Sequence, residues 1–215
     1  MYEVALNILN ILYDNGFDAY IVGGYPRDKY LNIESYDIDI CTNAHTSDIE
    51  KLFDNVDTKY KNYGNSIINI DNYKFEVTTF RKEQYLKNRN DLKIEFISNL
   101  EEDLKRRDFT INTLCIDKDG NYVDLLNSKK DLSDKIIRLI GDNSRLKDDP
   151  LRILRAIRFA GNLNFELDNY LIKGINKYSY LISNLSKNKI EEEINKMKDK
   201  SLLNKYNLMK YIEKD

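Results

Sequence analysis

The chain has 215 residues, 41% hydrophobic and 33% charged, which suits one domain or one and a half with a buried core and a soluble surface. Its net charge of −2, from 34 Lys+Arg against 36 Asp+Glu, excludes a blanket polycation, so any contact with nucleic acid must come from a local patch. Cys41 and Cys115 make neither a disulfide framework nor a zinc spacing, no run approaches the roughly 20 apolar residues of a membrane span, and the N-terminus lacks signal-peptide features; the expectation is a cytoplasmic protein with two buried thiols and no membrane partner.

In chain order, "EVALNILNILYDNG" places Val4, Ala5, Ile8, Leu9, Ile11 and Leu12 at helical spacing, with Gly16 as a stop. "AYIVGG" reads as a short buried strand running into a glycine pair. "YDIDICT" alternates Asp37, Asp39 and Cys41 with Ile38 and Ile40, the period of a strand. "TSDIEKLFDN" predicts a helix capped by Thr46 or Ser47. "SIINI" and "YKFEVTTF" predict a hairpin turning at Asp71-Asn72. Residues 81–93 are charged without a clear period and are expected to be a mobile loop. "LEEDLKRRDFTINTLCID" predicts a helix with a break near Asp108, and "KDGNYVDLL" a glycine turn into a strand. From about Asp148 the pattern is all-helical. Pro26 and Pro150 each sit at an element start, where a missing N–H is cheap.

Four segments carry chemistry. Carboxylates at Asp37 and Asp39 repel unless a cation lies near them, and hard oxygen ligands suit Mg²⁺, which commonly takes one or two carboxylates plus substrate phosphates. Two exposed acids on an edge strand would give the same short pattern. Glu76 alternates with Phe75 and Val77 and would join the pair if the strands are neighbours. The Gly23-Gly24 pair lets backbone approach a ligand closely, and Arg27 supplies a forked cation for phosphate oxygens. "RRDFTIN" gathers Arg106, Arg107, Asp108 and Asn112. "DDPLRILRAIRFA" sets Asp149, Arg152, Arg155 and Arg158 at steps of three on one broad helix face, a pattern that a solvated salt-bridging face would share.

Taken in order, GGYPRD, DID, RRDFTINT and DDPLR resemble the signatures of the tRNA nucleotidyltransferase and poly(A) polymerase family, in its bacterial-type class of CCA-adding enzymes. "EVTTFR" and "KNKIEEEINKM" look like the family too, so the likeness runs from about residue 20 to 197. It implies an α+β fold: a nucleotidyltransferase-type head over 1–142, with a mixed sheet flanked by helices, then an all-helical neck over 143–215. It also implies transfer of CMP or AMP from CTP or ATP to the 3′-hydroxyl of tRNA with Mg²⁺ as cofactor. Enzymes adding only C, only A or poly(A) share every motif, and a non-catalytic RNA-binding remnant or one half of a two-chain assembly is the alternative of another class.

By matching position, Asp37 and Asp39 would be catalytic and hold metal. Gly24 and Arg27 would contact the triphosphate. Arg107, Asp108 and Asn112 would bind triphosphate and ribose. Asp149 and Arg152 would read the base edge, and Arg155 and Arg158 would add phosphate and structural contacts. Pro26, Thr113 and Asp148 depart from the usual valine, alanine and glutamate, and residues 86–93 lack the usual arginine-rich loop sequence. Family members continue into helical body and tail domains, so a neck truncated at Asp215 is expected, with a homodimer or second subunit supplying grip on tRNA.

Overall fold

The structure is a computed structural model that describes residues 1–86 and 91–212. Its contacts gather into two compact units: residues 1–84, 93–107 and 111–129, and residues 85–92, 108–110 and 130–215.

The first unit starts with helix α1, Tyr2–Asp14. Ala5, Ile8, Leu9 and Leu12 make its buried stripe, and Gly16 follows at φ +84°. Strand β1 (Ala19–Val22) leads through Gly23 into helix α2 (Gly24–Tyr30). Strand β2 is Asp39–Thr42 and helix α3 is Thr46–Leu52. The short strand β3 (Val56–Asp57) is followed by β4 (Asn65–Ile70) and β5 (Tyr73–Thr79). These last two form the expected hairpin, closed by Ile70 opposite Tyr73. Asp71 and Asn72 take φ +50° and +67°, the left-handed pair that a tight hairpin turn requires. Strands β6 (Arg81–Tyr85) and β7 (Leu92–Phe96) pair with each other. Helix α4 is Leu100–Lys105, and strands β8 (Cys115–Ile116) and β9 (Tyr122–Val123) complete the sheet. The seven-stranded sheet runs β3-β4-β5-β2-β1-β8-β9. It is mixed: β2 and β5 are parallel and the other pairs antiparallel.

Both faces of the sheet are buried against something. One carries Ile21, Ile38, Ile40, Phe75 and Val77 against α1. The other carries Val22, Cys41 and Cys115 against Phe80 and against Leu104 of α4. The alternation in "DIDIC" therefore assigns Ile38 and Ile40 to one core and Cys41 to the other, with Asp39 beyond Cys41 on its face.

Helix α5 (Ser128–Asp134) starts in the first unit. In the second, β10 (Ile136–Ile137) is followed by α6 (Ser144–Asp148), α7 (Leu151–Leu163), β11 (Glu166–Leu167) and α8 (Asn169–Tyr178). Helices α9 (Lys187–Asn195), α10 (Ser201–Lys205) and α11 (Met209–Ile212) end the described chain. Phe109 bridges to Leu139 and meets Phe159 edge-on at 5.9 Å. No helix among the described residues is long and apolar enough to cross a membrane.

Five local expectations need correction. Strand β2 starts at Asp39, so Asp37 lies ahead of it rather than in it. The α3 cap is His45, not Thr46 or Ser47: its N–H donates to the Asp48 carboxylate at 3.2 Å, so the third helical residue satisfies the start. The expected loop over 81–93 is strand at 81–85 and 92–93, while residues 87–90 lie outside the described ones. Its charges pair among themselves, Arg81 with Glu83 at 2.7 Å, which hides any apolar period. The helix expected through "LEEDLKRRDFTIN" stops at Lys105 and gives way to a 3₁₀ turn at Thr110–Asn112. Beyond Asp148 the chain is not wholly helical, because β11 pairs in parallel with β10.

Candidate active site

Gly23 and Asp39 define the centre of the first unit's site. Val22 and Asp39 are register partners on β1 and β2. Gly23 takes φ +84° and ψ −129°, a conformation that residues with a Cβ avoid. A Cβ there would lie 3.1 Å from Asp39 Oδ2. Of the glycine pair it is thus Gly23, not the Gly24 singled out by motif, that must be glycine; Gly24 is the first residue of α2. Gly23→Ala is expected to displace the Asp39 carboxylate and strain the turn, lowering any activity of the site at least tenfold while the protein stays folded by circular dichroism.

Asp39 is pushed up to about 6 by burial, by the Asp37 charge and by Glu76, with Arg107 pulling the other way. Asp39 and Glu76 face each other across β2 and β5. Asp37 is exposed and Asp39 half-buried. A carboxylate held this far above its ordinary range by burial and by neighbouring carboxylates is one that a cation would relieve. Among the described residues no three His, Cys, Asp or Glu side chains gather closely enough to hold a metal. Two carboxylates completed by substrate phosphates are the usual Mg²⁺ provision, so the donor set fits a hard divalent cation.

Two arginines stand in fixed poses. Arg27, 8% exposed, donates from Nε to Asp28 Oδ1 at 2.8 Å and from Nη2 to Asp28 Oδ2 at 3.0 Å. Its Nη1 donates to Asn112 Oδ1 at 2.7 Å. Two motif residues 85 apart are thereby joined, and Asp28 orients the fork. Arg107 donates from Nη2 to Asp103 at 3.4 Å. Burial works against its charge, but Asp103, the Cys41 and Cys115 thiols and Asp39 outweigh burial and raise its pKa. Asp103 is fully buried and also accepts from Arg106 Nε at 2.8 Å and the Arg81 peptide N–H at 3.0 Å.

A second set of motif residues belongs to the second unit. Asp108 accepts from its neighbour Phe109 N–H at 2.8 Å and from Arg155 Nε at 2.6 Å. Arg158 Nε lies 2.7 Å from the buried Glu193 on α9, and its guanidinium stacks over Phe159 at 4.4 Å. Arg155 also reaches Glu193, at 3.9 Å. Both arginines therefore pair with carboxylates of their own unit. Asp149 is extended, φ −136°, and lies ahead of α7, whose N-cap is Pro150. It therefore does not share the helix face expected for it with Arg152, Arg155 and Arg158; its Oδ1 accepts the Leu151 N–H at 3.2 Å. Arg152 Nε is 3.9 Å from Asp149 Oδ2, and Nη2 is 3.5 Å from the Tyr85 hydroxyl.

Asp28, Asp103, Glu193 and Tyr85 carry contacts that the motif reading missed. The spacing of Asp103 to Arg106 and Arg107, three and four residues along, could have revealed one of them.

Residues 19–138 match the Poly A polymerase head domain, more than half of the chain. The chain belongs to that family. It is 40% identical over 196 residues to a CCA-adding enzyme of Lactobacillus helveticus, covering 90% of this chain and 49% of that one. A CCA-adding enzyme of Bacillus subtilis is 41% identical over 184 residues, covering 85% and 46%. Among solved structures, the Bacillus stearothermophilus CCA-adding enzyme in complex with CTP superposes with a TM-score of 0.83 at 32% identity, over 91% of this chain and 48% of that one. A tRNA nucleotidyltransferase complexed with a primer tRNA and an incoming ATP analog gives 0.80 at 30% identity, over 96% and 62%. The chain spans about half the length of the relatives it matches. Asp37, Asp39, Glu76, Gly24, Arg27, Arg107, Asp108 and Asn112 fall within the family match, while Asp149, Arg152, Arg155 and Arg158 lie beyond its end at 138.

Proposed function

We propose that this chain transfers CMP and AMP from CTP and ATP to the 3′-hydroxyl of tRNA, releasing pyrophosphate, in CCA addition or repair. A narrower product range, only C, only A or poly(A), is the same chemistry with a different nucleotide choice. The observation that carries the reading is the Asp39 carboxylate, packed on Gly23 and raised to about 6 beside Asp37 and Glu76. The head occupies 1–142 and the helical neck 143–215 in this reading, with the reaction in the cytoplasm.

Asp37 and Asp39 would hold Mg²⁺, with Glu76 as a lesser companion. Bound there, the ion supplies charge to activate the attacking hydroxyl and to stabilise the departing oxygen. Arg27, aimed by Asp28 and Asn112, grips triphosphate oxygens as a rigid fork, and Arg107 adds a second positive charge near Asp39. The chain's contribution is positioning and charge stabilisation, the main requirements of phosphoryl-type transfer.

Asp149 and Arg152 read the base edge in this scheme. An aspartate accepts from the exocyclic amine that cytosine and adenine share, and an arginine donates to ring and carbonyl acceptors. Pro150, φ −63°, restrains the backbone between them. Asp149→Ala and Arg152→Ala are expected to relax the choice among CTP, ATP, UTP and GTP by about 1–3 kcal/mol each, with transfer retained. An equal loss for all four nucleotides would make the two residues structural.

The deciding experiment incubates the protein and Mg²⁺ with tRNA lacking its 3′ CCA and each labelled nucleotide in turn. Incorporation of C and A but not U or G is expected; no incorporation from any of the four would overturn the proposal. Sedimentation of the same mixtures tests whether a homodimer or second subunit contributes to the tRNA grip.

A further inference from the structure

With a net charge of −2, the chain can hold RNA only through a local patch, and the first unit offers one away from the nucleotide-binding residues. Residues 59–63, "KYKNY", form a turn between β3 and β4 whose five side chains are all exposed. Tyr60 and Tyr63 are 52% and 53% exposed, and the Lys59 ammonium lies 5.6 Å from the centre of the Tyr60 ring.

The turn is rigidly built. Lys61–Tyr63 is a 3₁₀ turn ended by Gly64 at φ +69°. The Lys61, Tyr63 and Gly64 N–H groups donate to Thr58, Tyr60 and Lys61 carbonyls at 2.9 Å each. Arg81 donates to the Tyr63 carbonyl, and Thr79 N–H to the Gly64 carbonyl at 2.8 Å. A Cβ on Gly64 would come within 2.5 Å of the Phe96 ring, so the backbone is pressed onto the body of the unit. Two large rings are thus held out in water on a fixed support, flanked by cations.

We propose that this turn is a stacking platform for single-stranded RNA: Tyr60 and Tyr63 receive bases, and Lys59 and Lys61 receive phosphates. Aromatic rings interleaved with basic side chains are what sequence-tolerant single-strand binding uses, and the two lysines disfavour a basic partner. Strand register links the platform to the carboxylate site. Asp39 pairs with Glu76, Glu76 pairs with Ile67, and Asn65 on the same face of β4 reaches Glu76 at 3.5 Å. Two strand spacings across and about four residues along make a path of roughly 15 Å, a span that a few nucleotides of single strand can cover. The inference rests on the proposed function for its choice of RNA 3′ end: the terminal hydroxyl lies at Asp39 and the strand upstream of it crosses toward the tyrosines.

Fluorescence anisotropy with a labelled eight-nucleotide single-stranded RNA tests this without requiring transfer. Tyr60→Ala with Tyr63→Ala should weaken binding about tenfold or more, whereas Tyr60→Phe with Tyr63→Phe, which keeps the rings, should bind as wild type. Lys59→Ala with Lys61→Ala should lower the slope of log affinity against log salt by about 1.4. The KM for CTP should be unchanged throughout. Unchanged affinity in the double alanine variant would overturn the platform. So would sensitivity to the lysines alone, which would mark a plain polyanion surface. If wild type transfers nothing yet its RNA binding depends on the rings, the platform stands and the proposed reaction falls. If transfer proceeds and the variants bind as wild type, the reverse holds.

Discussion

Asp39→Asn is expected to lower nucleotide transfer by at least about 10²–10³-fold, the loss that follows removal of one preorganised charge-stabilising group, and at the same time to stabilise the ligand-free protein at neutral pH. The second half follows from linkage. The Asp39 carboxyl has an ordinary value of 3.8 and is pushed up to about 6 in the folded chain, so the folded state holds its proton more tightly than the unfolded state. Below pH 4 both states are protonated and the two proteins should melt alike. Between pH 4 and 6 the unfolded wild type ionises while the folded form resists, so wild type loses stability as pH rises. Above pH 6 the full cost of the buried charge is present and the gap stays constant. Asparagine keeps the shape without the charge, so its melting temperature should rise relative to wild type through that window. Mg²⁺ at pH 8 should narrow the gap by stabilising wild type and leaving the variant unmoved. Melting curves at pH 4, 5, 6, 7 and 8 with and without Mg²⁺, together with the transfer assay, decide the matter. Full transfer by the variant would sink the assignment of Asp39 to the metal; a melting gap independent of pH would sink the account of its charge.

The same aspartate shows how far the residues alone could lead. Its alternation with Ile38 and Ile40 is set by the strand period, which is local, so both the strand and the burial of its neighbours were legible. The hairpin of β4 and β5 was legible for a similar reason, because Asp71-Asn72 are among the few residues that tolerate its turn. The stop of α4 at Lys105 was not. Arg106 and Arg107 turn back to Asp103, Asp108 binds its own neighbour's N–H, and Phe109 bridges to Leu139 thirty residues on. Helical propensity through "LKRRDF" is outweighed by partners that no window of sequence contains. The pairing of Arg155 and Arg158 with Glu193 is of the same kind, set by the packing of α7 on α9. Residue type and spacing could not show that Gly23 carries the left-handed backbone, that Asp149 lies ahead of its helix, or that Arg155 and Arg158 pair with Glu193.

Loss of Asp103 should have the largest effect on stability. Its carboxylate is fully buried and accepts from Arg106, Arg107 and the Arg81 peptide N–H. Glu83 shares Arg106 at 3.1 Å and Arg81 at 2.7 Å, so loss of Asp103 leaves Arg106 with Glu83 and takes from the buried Arg107 the carboxylate it donates to. Breaking a buried pair from one side costs about 3–5 kcal/mol, because the remaining charge stays desolvated, and that is a large share of a total stability of about 5–15 kcal/mol. Asp103→Ala should therefore lower the urea midpoint severely or leave the chain unfolded. Asp103→Asn keeps the acceptor for the Arg81 N–H and should lose less. In whatever fraction of the asparagine variant folds, Arg107 has lost its charged tether, so the KM for CTP and ATP should rise more than kcat falls. Glu83→Gln makes the contrast, since it touches Arg81 and Arg106 but has no bond to Arg107: it should cost stability and leave the KM near wild type. A loss below 1 kcal/mol in Asp103→Ala would show that the arginines find other partners. An equal KM change in Glu83→Gln would show that the whole cluster, rather than Asp103, sets the position of Arg107.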